Sequence, residues 1–372
     1  MEESTINISV WGGLLIGACL GVVAQRSRFC VRAALFDVFE GRDRSHFRAY
    51  LMAIAVAIAA TQAMAAFELV DLSQTIYTRP TLPLLGLVIG ALVFGTGMVL
   101  AGGCPNRLMV RAAQGQGAAM LTWLAFALTV MASFEGVLKG LRELAASQMA
   151  DLPFNTLGAL FGDAPWWLAP AVAVGVIAVY LLAAPRTSAW WRRKWPATGA
   201  AIGALVAAGW YVSTIGSDLF EPTQPVSLAF VAPAQDFLRF ITMNRLGFGA
   251  KFSTASVAGV FIGALAASII AHEFKWTAPS GPLVRRNIAG GMLMGWGGIL
   301  AMGCTIGQGI AGVSTLSLTS MLALSGFGAG AWATHKVLMR TPLEEPVSDL
   351  ERQTQSNIPE ETVSGTSKGA ET

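Results

Sequence analysis

Apolar runs nearly free of charge recur from about residue 10 to residue 338, parted by short breaks rich in glycine or arginine. The runs are continuous rather than alternating, and backbone inside lipid must satisfy its own hydrogen bonds. Such a chain therefore folds as a bundle of membrane helices. Hydrophobic residues make up 54% of the 372 positions and charged residues only 13%. At that composition a single polytopic, all-α transmembrane domain absorbs residues 1–340, where a water-soluble chain of equal length would form two or three domains. The net charge of +3 comes without a basic run of the density that nucleic-acid binding needs. Met1-Glu2-Glu3-Ser4-Thr5 lacks the positive region of a cleaved secretory signal, so the first apolar segment is expected to stay in the mature protein. From Thr341 to Thr372 the chain is polar and acidic, which predicts a disordered cytoplasmic tail over 341–372.

Nine stretches read as spanning helices, near 10–24, 46–69, 82–100, 116–136, 166–184, 195–215, 250–271, 286–303 and 314–338. Four more, near 28–38, 104–114, 228–243 and 304–312, are too short to cross and are expected to enter and return as half-helices. Several of the nine fall below the roughly 20 residues of an upright span, which implies tilt, local thinning or an hourglass-shaped protein. With the N-terminus outside, the inner loops hold seventeen Lys and Arg and the outer loops six. Cytoplasmic loops carry such an excess, so the N-terminus is expected outside and the C-terminus in the cytoplasm. Trp166-Trp167 and Trp190-Trp191-Trp195 read as interfacial anchors, and segment 137–150 as a helix lying flat at the outer interface.

With nine spans, helices one to four and six to nine run in opposite senses, the fifth serving as connector. The halves 10–136 and 195–338 then form an inverted repeat. Gly90 to Cys104 aligns without a gap on Gly290 to Cys304, with identities at both ends and at the shared glycines. Small-residue membrane helices can match by chance; the Cys that closes both copies argues for the repeat.

Three of the four cysteines stand in breaks: Arg28-Phe29-Cys30, Gly102-Gly103-Cys104-Pro105-Asn106-Arg107 and Gly303-Cys304-Thr305-Ile306-Gly307-Gln308-Gly309. Non-helical backbone at membrane depth must be buried in protein or line a wet cavity, so these breaks mark a substrate path. Inverted repeats of broken helices place that path's binding site near the midplane, where half-helix N-termini bring unpaired N–H groups and partial positive charge. The expected substrate is an anion. Sulfate would call for hydroxyls, amides and arginine, whereas three thiols suit a soft sulfur atom that takes weak S–H contacts at successive stations. The rival reading is that buried cysteines merely fill helix contacts. That reading is preferred for Cys19, inside Gly17-Ala18-Cys19-Leu20-Gly21, and Cys30 could also mark an interfacial anchor. Half-helices meeting across a pore should keep these thiols at least a substrate diameter apart.

In these segments the chain resembles the YeeE/YedE family of sulfur-compound transporters, to which bacterial thiosulfate uptake proteins belong. The resemblance covers about residues 10–338. It rests on the Gly-Gly-Cys segment ending in Arg107, the Gly-Cys-Thr-Ile-Gly-Gln-Gly segment around Cys304 and the Cys of the first short segment at Cys30. It implies nine spanning and four short helices in an hourglass, in the bacterial inner membrane. It also implies thiosulfate as substrate, with Cys30, Cys104 and Cys304 as essential residues along the path. Family members often work beside a small soluble sulfur-carrier protein on the cytoplasmic side.

Weaker candidates surround the thiols. Gly103 and Gly303 precede their cysteines, and Asn106 and Gln308 follow them and could donate amide hydrogens to an oxyanion or simply cap half-helices. Arg107 and Arg111 share one helix face and either attract anions at the cytoplasmic mouth or are ordinary inside-loop residues. His46, His272 and His335 show no ligand spacing, so no metal and no cofactor is expected. Nor is an enzymatic activity. A thiol–disulfide electron conductor is the rival from another class, but it needs a bridging pair and no Cys-x-x-Cys occurs. A selenium compound stays open as substrate, because softness alone does not choose. No ATP-binding loop of the Gly-x-x-x-x-Gly-Lys-Ser/Thr type is present.

Overall fold

The computed structural model describes residues 2–41, 44–79, 81–147, 149–151, 156–160, 165, 167–183, 195–216, 224–243, 252–279 and 281–340. The tail 341–372, Trp166, Trp190 and Trp191 lie outside the described residues. Helices dominate: α1 (Glu2–Ser27), α2 (Val31–Phe39), α3 (Ser45–Ala66), α4 (Leu84–Leu100), α5 (Pro105–Ala113), α6 (Gly117–Glu135) and α7 (Lys139–Ala146). They continue as α8 (Leu157–Leu160), α9 (Leu168–Leu182), α10 (Trp195–Ile215), α11 (Ala232–Met243), α12 (Phe252–Ile270), α13 (Pro282–Leu300) and α14 (Leu318–Arg340). A wide π-helical turn, Gly307–Gly312, precedes α14. The only sheet among the described residues pairs β1 (Thr81–Leu82) with β2 (Ala150–Asp151), antiparallel.

Every segment expected to be helical holds a helix or helical turn. Six stretches are long and apolar enough to cross a membrane among the described residues: Ile8–Phe39, Ser45–Ala66, Leu84–Ala113, Gly117–Glu135, Trp195–Ile215 and Phe252–Ile270. Two of these join a long helix to a short one, α1 to α2 and α4 to α5. The remaining expected spans are α9, which is apolar but short, and α13 and α14, which carry Arg285, Arg286 and Asn287, and His335, Lys336 and Arg340.

Large apolar side chains point outward, among them Trp11, Leu15, Val176 and Ile269, while small residues make the helix contacts. In lipid there is no hydrophobic drive between helices, so close backbone approach has to supply the attraction. Gly13, Gly17 and Gly21 lay α1 against Phe252, Ser256 and Val260 of α12, and Gly259 and Gly263 return the contact to Leu14 and Ala18. Gly199 and Gly203 lay α10 against Ala49 and Ala53 of α3. Helices α4 and α13 cross on four glycines. A Cβ on Gly90 would stand 2.8 Å from the Gly297 carbonyl oxygen, and one on Gly297 would stand 2.6 Å from that of Gly90. Gly97 and Gly290 repeat this at 2.7 and 2.8 Å.

Cys19 does not fill a helix contact as expected. It is exposed, on the face of α1 that also carries Trp11, Leu15 and Val22, opposite the glycine stripe.

Candidate functional site

The ends of α4 and α13 are built alike. Ala101, Gly102 and Gly103 donate their N–H groups to Gly97, Val99 and Met98; Ala301, Met302 and Gly303 donate theirs to Gly297, Ile299 and Gly298. Gly102 and Met302 take left-handed backbone, φ +76° and +57°, the usual way to stop a helix and satisfy its last carbonyls. The chain then turns sharply into Cys104 or Cys304. After Cys104, Pro105 opens α5, where its fixed φ and missing N–H do no harm. After Cys304 the chain runs instead into the π-helical turn.

Cys30 and Cys104 stand at the N-caps of α2 and α5, both in extended backbone. Their thiols lie close enough to act on one another electrostatically. The expected separation by a substrate diameter therefore fails for this pair, because both short helices aim their N-termini at one point. The N–H groups of Val31 and Arg107 face Cys104 Sγ and that of Ala33 faces Cys30 Sγ, contacts too loose to cap either helix. Cys304 Sγ accepts from the N–H of Gly307 at 3.4 Å, and the N–H groups of Ile306 and Phe230 lie near enough to act on it. Phe230 lies just before α11, so this sulfur too collects the unpaired donors of a short helix's approach. Cys104 and Cys304 are each only 1% exposed.

Around the thiols, polar atoms are buried without partners. Asn106 is 1% exposed, and neither its Nδ2 nor its Oδ1 meets a hydrogen-bonding group. Arg107 Nη1 and Thr305 Oγ1 are in the same condition, and the Arg107 guanidinium is close enough to act electrostatically on Cys30. Each such group costs about 1–3 kcal/mol when left unmatched, an expense that a bound anion would remove at the donors Asn106 Nδ2, Arg107 Nη1 and Thr305 Oγ1.

Gln308 and Arg111 are already engaged. Gln308 Nε2 donates to the Ala301 carbonyl at 2.9 Å and Oε1 accepts from Ser320 at 2.6 Å, so the amide braces the end of α13. Arg111 donates to Gln116 at 2.7 Å and to the Gly102 carbonyl at 3.4 Å. Gly103 and Gly303 leave room for the chain that folds back after each cysteine. A Cβ there would meet Arg107 Cβ at 3.4 Å or Gln308 Cγ at 3.0 Å.

Sequence reasoning passed over Tyr50, Tyr77 and Thr305. Tyr50 donates to the Thr305 carbonyl at 2.8 Å, and both tyrosine hydroxyls come within electrostatic reach of Cys304. The available signal was a lone tyrosine among the small residues of α3.

The comparisons with known proteins agree with this reading. The thiosulfate transporter TsuA of Spirochaeta thermophila is 28% identical over 345 residues, covering 89% of this chain and 99% of the relative. TsuA of Escherichia coli is 27% identical over 343 residues, covering 87% and 93%. The probable transporter YedE of Escherichia coli is 36% identical over 107 residues, 28% of this chain and 24% of that protein. The model of the sulphur transport family matches residues 26–333. Apolar helices, paired glycine-cysteine breaks and these relatives lead to one statement: the chain is a multi-pass membrane protein that belongs to the sulphur transport family and works as a transporter rather than an enzyme.

Proposed function

We propose that this chain imports thiosulfate, or a closely related sulfur-containing anion, across the bacterial inner membrane along a path whose stations are Cys30, Cys104 and Cys304. The observation that carries the proposal is the company these buried thiols keep: unpartnered donors at Asn106 and Arg107 beside the Cys30–Cys104 pair. Thiosulfate has a soft sulfur atom and three oxygens, and the site offers weak S–H donors beside stronger N–H donors. The names of the TsuA relatives support the same substrate.

The proposed architecture has nine spans and four re-entrant helices in inverted halves, N-terminus outside and C-terminus cytoplasmic. The reciprocal contacts of Gly90 with Gly297 and of Gly97 with Gly290 support it, because a contact across a two-fold axis is met by its own image. A small soluble sulfur carrier on the cytoplasmic side is the proposed partner, on the strength of the family resemblance alone.

One observation favours the electron-conductor reading, the contact between Cys30 and Cys104. A relay needs a second exchanging pair further along the path. Cys304 is the one other buried thiol, and Cys19 is exposed, so transport is preferred.

Uptake of labelled thiosulfate into proteoliposomes containing this chain tests the proposal, with sulfate, selenite and tetrathionate as competitors. Failure of thiosulfate to enter would sink it, and stronger competition by selenite would reassign the substrate.

A further inference from the structure

Tyr50 is buried in α3 among small residues, and a path made of thiols leaves it without a task. Its ring rests on Phe29 with centroids 6.4 Å apart, one residue before Cys30. Its hydroxyl donates to the carbonyl of Thr305 at 2.8 Å, one residue after Cys304. This hydroxyl lies within electrostatic reach of both Cys304 and Cys104, whereas that of Tyr77 reaches Cys304 alone. Tyr50 thus adjoins both stations, its ring at Phe29 beside Cys30 and its hydroxyl at Thr305 beside Cys304. A Cβ on Gly309 would strike its hydroxyl, so the π-helical turn is held to glycine on the side that faces Tyr50. Beside it, Thr305 Oγ1 is buried with no partner.

An anion with a sulfur end and an oxygen end meets a particular difficulty between stations. If all its contacts released together it would be a buried, unpaired charge, which is among the costliest states in a protein interior. Donors that keep hold of the oxygens while the sulfur changes partner lower that barrier. A hydroxyl suits the task, because its hydrogen rotates to a new acceptor without any movement of backbone.

We infer that the hydroxyls of Tyr50 and Thr305 hold the oxygen end of the anion while its sulfur passes between Cys304 and the Cys30–Cys104 pair, an inference that rests on the transport reading above. They are positioning residues for passage rather than for initial binding. Their removal therefore slows maximal uptake more than it weakens apparent affinity.

The test is uptake of labelled thiosulfate by proteoliposomes carrying the full chain or the variants Tyr50→Phe, Thr305→Val and Thr305→Ser, at equal amounts of inserted protein. Tyr50→Phe and Thr305→Val should each lower the maximal rate about tenfold, the effect of one hydrogen bond, with KM within about twofold of the parent. Thr305→Ser should restore the parent rate. The double variant should fall little below the worse single one, since both hydroxyls serve one step. A parent-like maximal rate in both single variants overturns the inference, as does a raised KM at unchanged rate or a slow Thr305→Ser. Should Tyr50→Phe fail to reach the membrane, Thr305→Val against Thr305→Ser decides. Absence of uptake by the parent chain instead overturns the transport reading itself.

Discussion

Gly90 of α4 and Gly297 of α13 touch backbone to backbone, each bringing its carbonyl oxygen within 2.8 Å of where a Cβ of the other would stand. Two helices that both lead into a cysteine-bearing turn are thereby locked at one crossing. Gly297→Val should destabilise the protein by at least about 1–3 kcal/mol, the range for overpacking a tight contact. Thermal unfolding in detergent checks this, and a melting temperature equal to that of the parent would show that the crossing is slack.

Cys104→Ala and Cys304→Ala are expected to lower thiosulfate uptake by at least about tenfold, the loss of one substrate contact in a buried site. Folded protein should remain in the membrane in normal amount. Cys19→Ala should be nearly silent, because Cys19 faces outward. Loss of folded protein in the first two variants would mean that packing explains these cysteines.

The contact between Cys30 and Cys104 makes a redox prediction specific. A disulfide-forming oxidant such as diamide should join these two, leave Cys304 reduced and stop uptake, and a reductant should restore it. During ordinary turnover no such bridge is expected, and bound thiosulfate should slow alkylation of the thiols. Mass spectrometry of rapidly alkylated protein distinguishes the cases. A stoichiometric bridge that comes and goes with uptake would favour the electron conductor.

Asn106 and Gln308 follow their cysteines in sequence but should respond oppositely. Asn106→Leu replaces an unmatched buried amide with apolar volume, so stability should hold or rise by about 1 kcal/mol while uptake falls severalfold. Gln308→Leu leaves the Ala301 carbonyl and the Ser320 hydroxyl without their partner, and should cost about 1–3 kcal/mol of stability. Unfolding and uptake measured on the same preparations test both. A destabilised Asn106→Leu would mark its amide as structural.

Much of the helical plan was legible because apolar runs and their breaks are local properties of sequence. The Gly-Gly-Cys and Met-Gly-Cys turns could be paired by alignment, and their matching hydrogen bonds follow from that. What stayed hidden is long-range. Cys30 and Cys104 are far apart in the chain, and only the convergence of α2 and α5 joins them. Tyr50 looks like any residue inside a span until Thr305 is seen across from it. The outward turn of Cys19 was within reach, since Gly13, Gly17 and Gly21 mark the opposite face of α1; reading that short segment as uniformly packed missed it. For Gln308 the capping alternative was legible and its bond to the Ala301 carbonyl fits it, but its second partner, Ser320, lies beyond the π-helical turn and was not.

The near-complete burial of Cys104, Asn106 and Cys304 bears on the cell's energy supply. Side chains so little exposed to solvent offer no foothold for a file of water that could carry protons past them. We expect the resting protein to leave the electrical insulation of the membrane intact, so that a cell can make it in quantity without dissipating the voltage that drives its other pumps. Proton leak in sealed vesicles, with and without the protein, measures this directly.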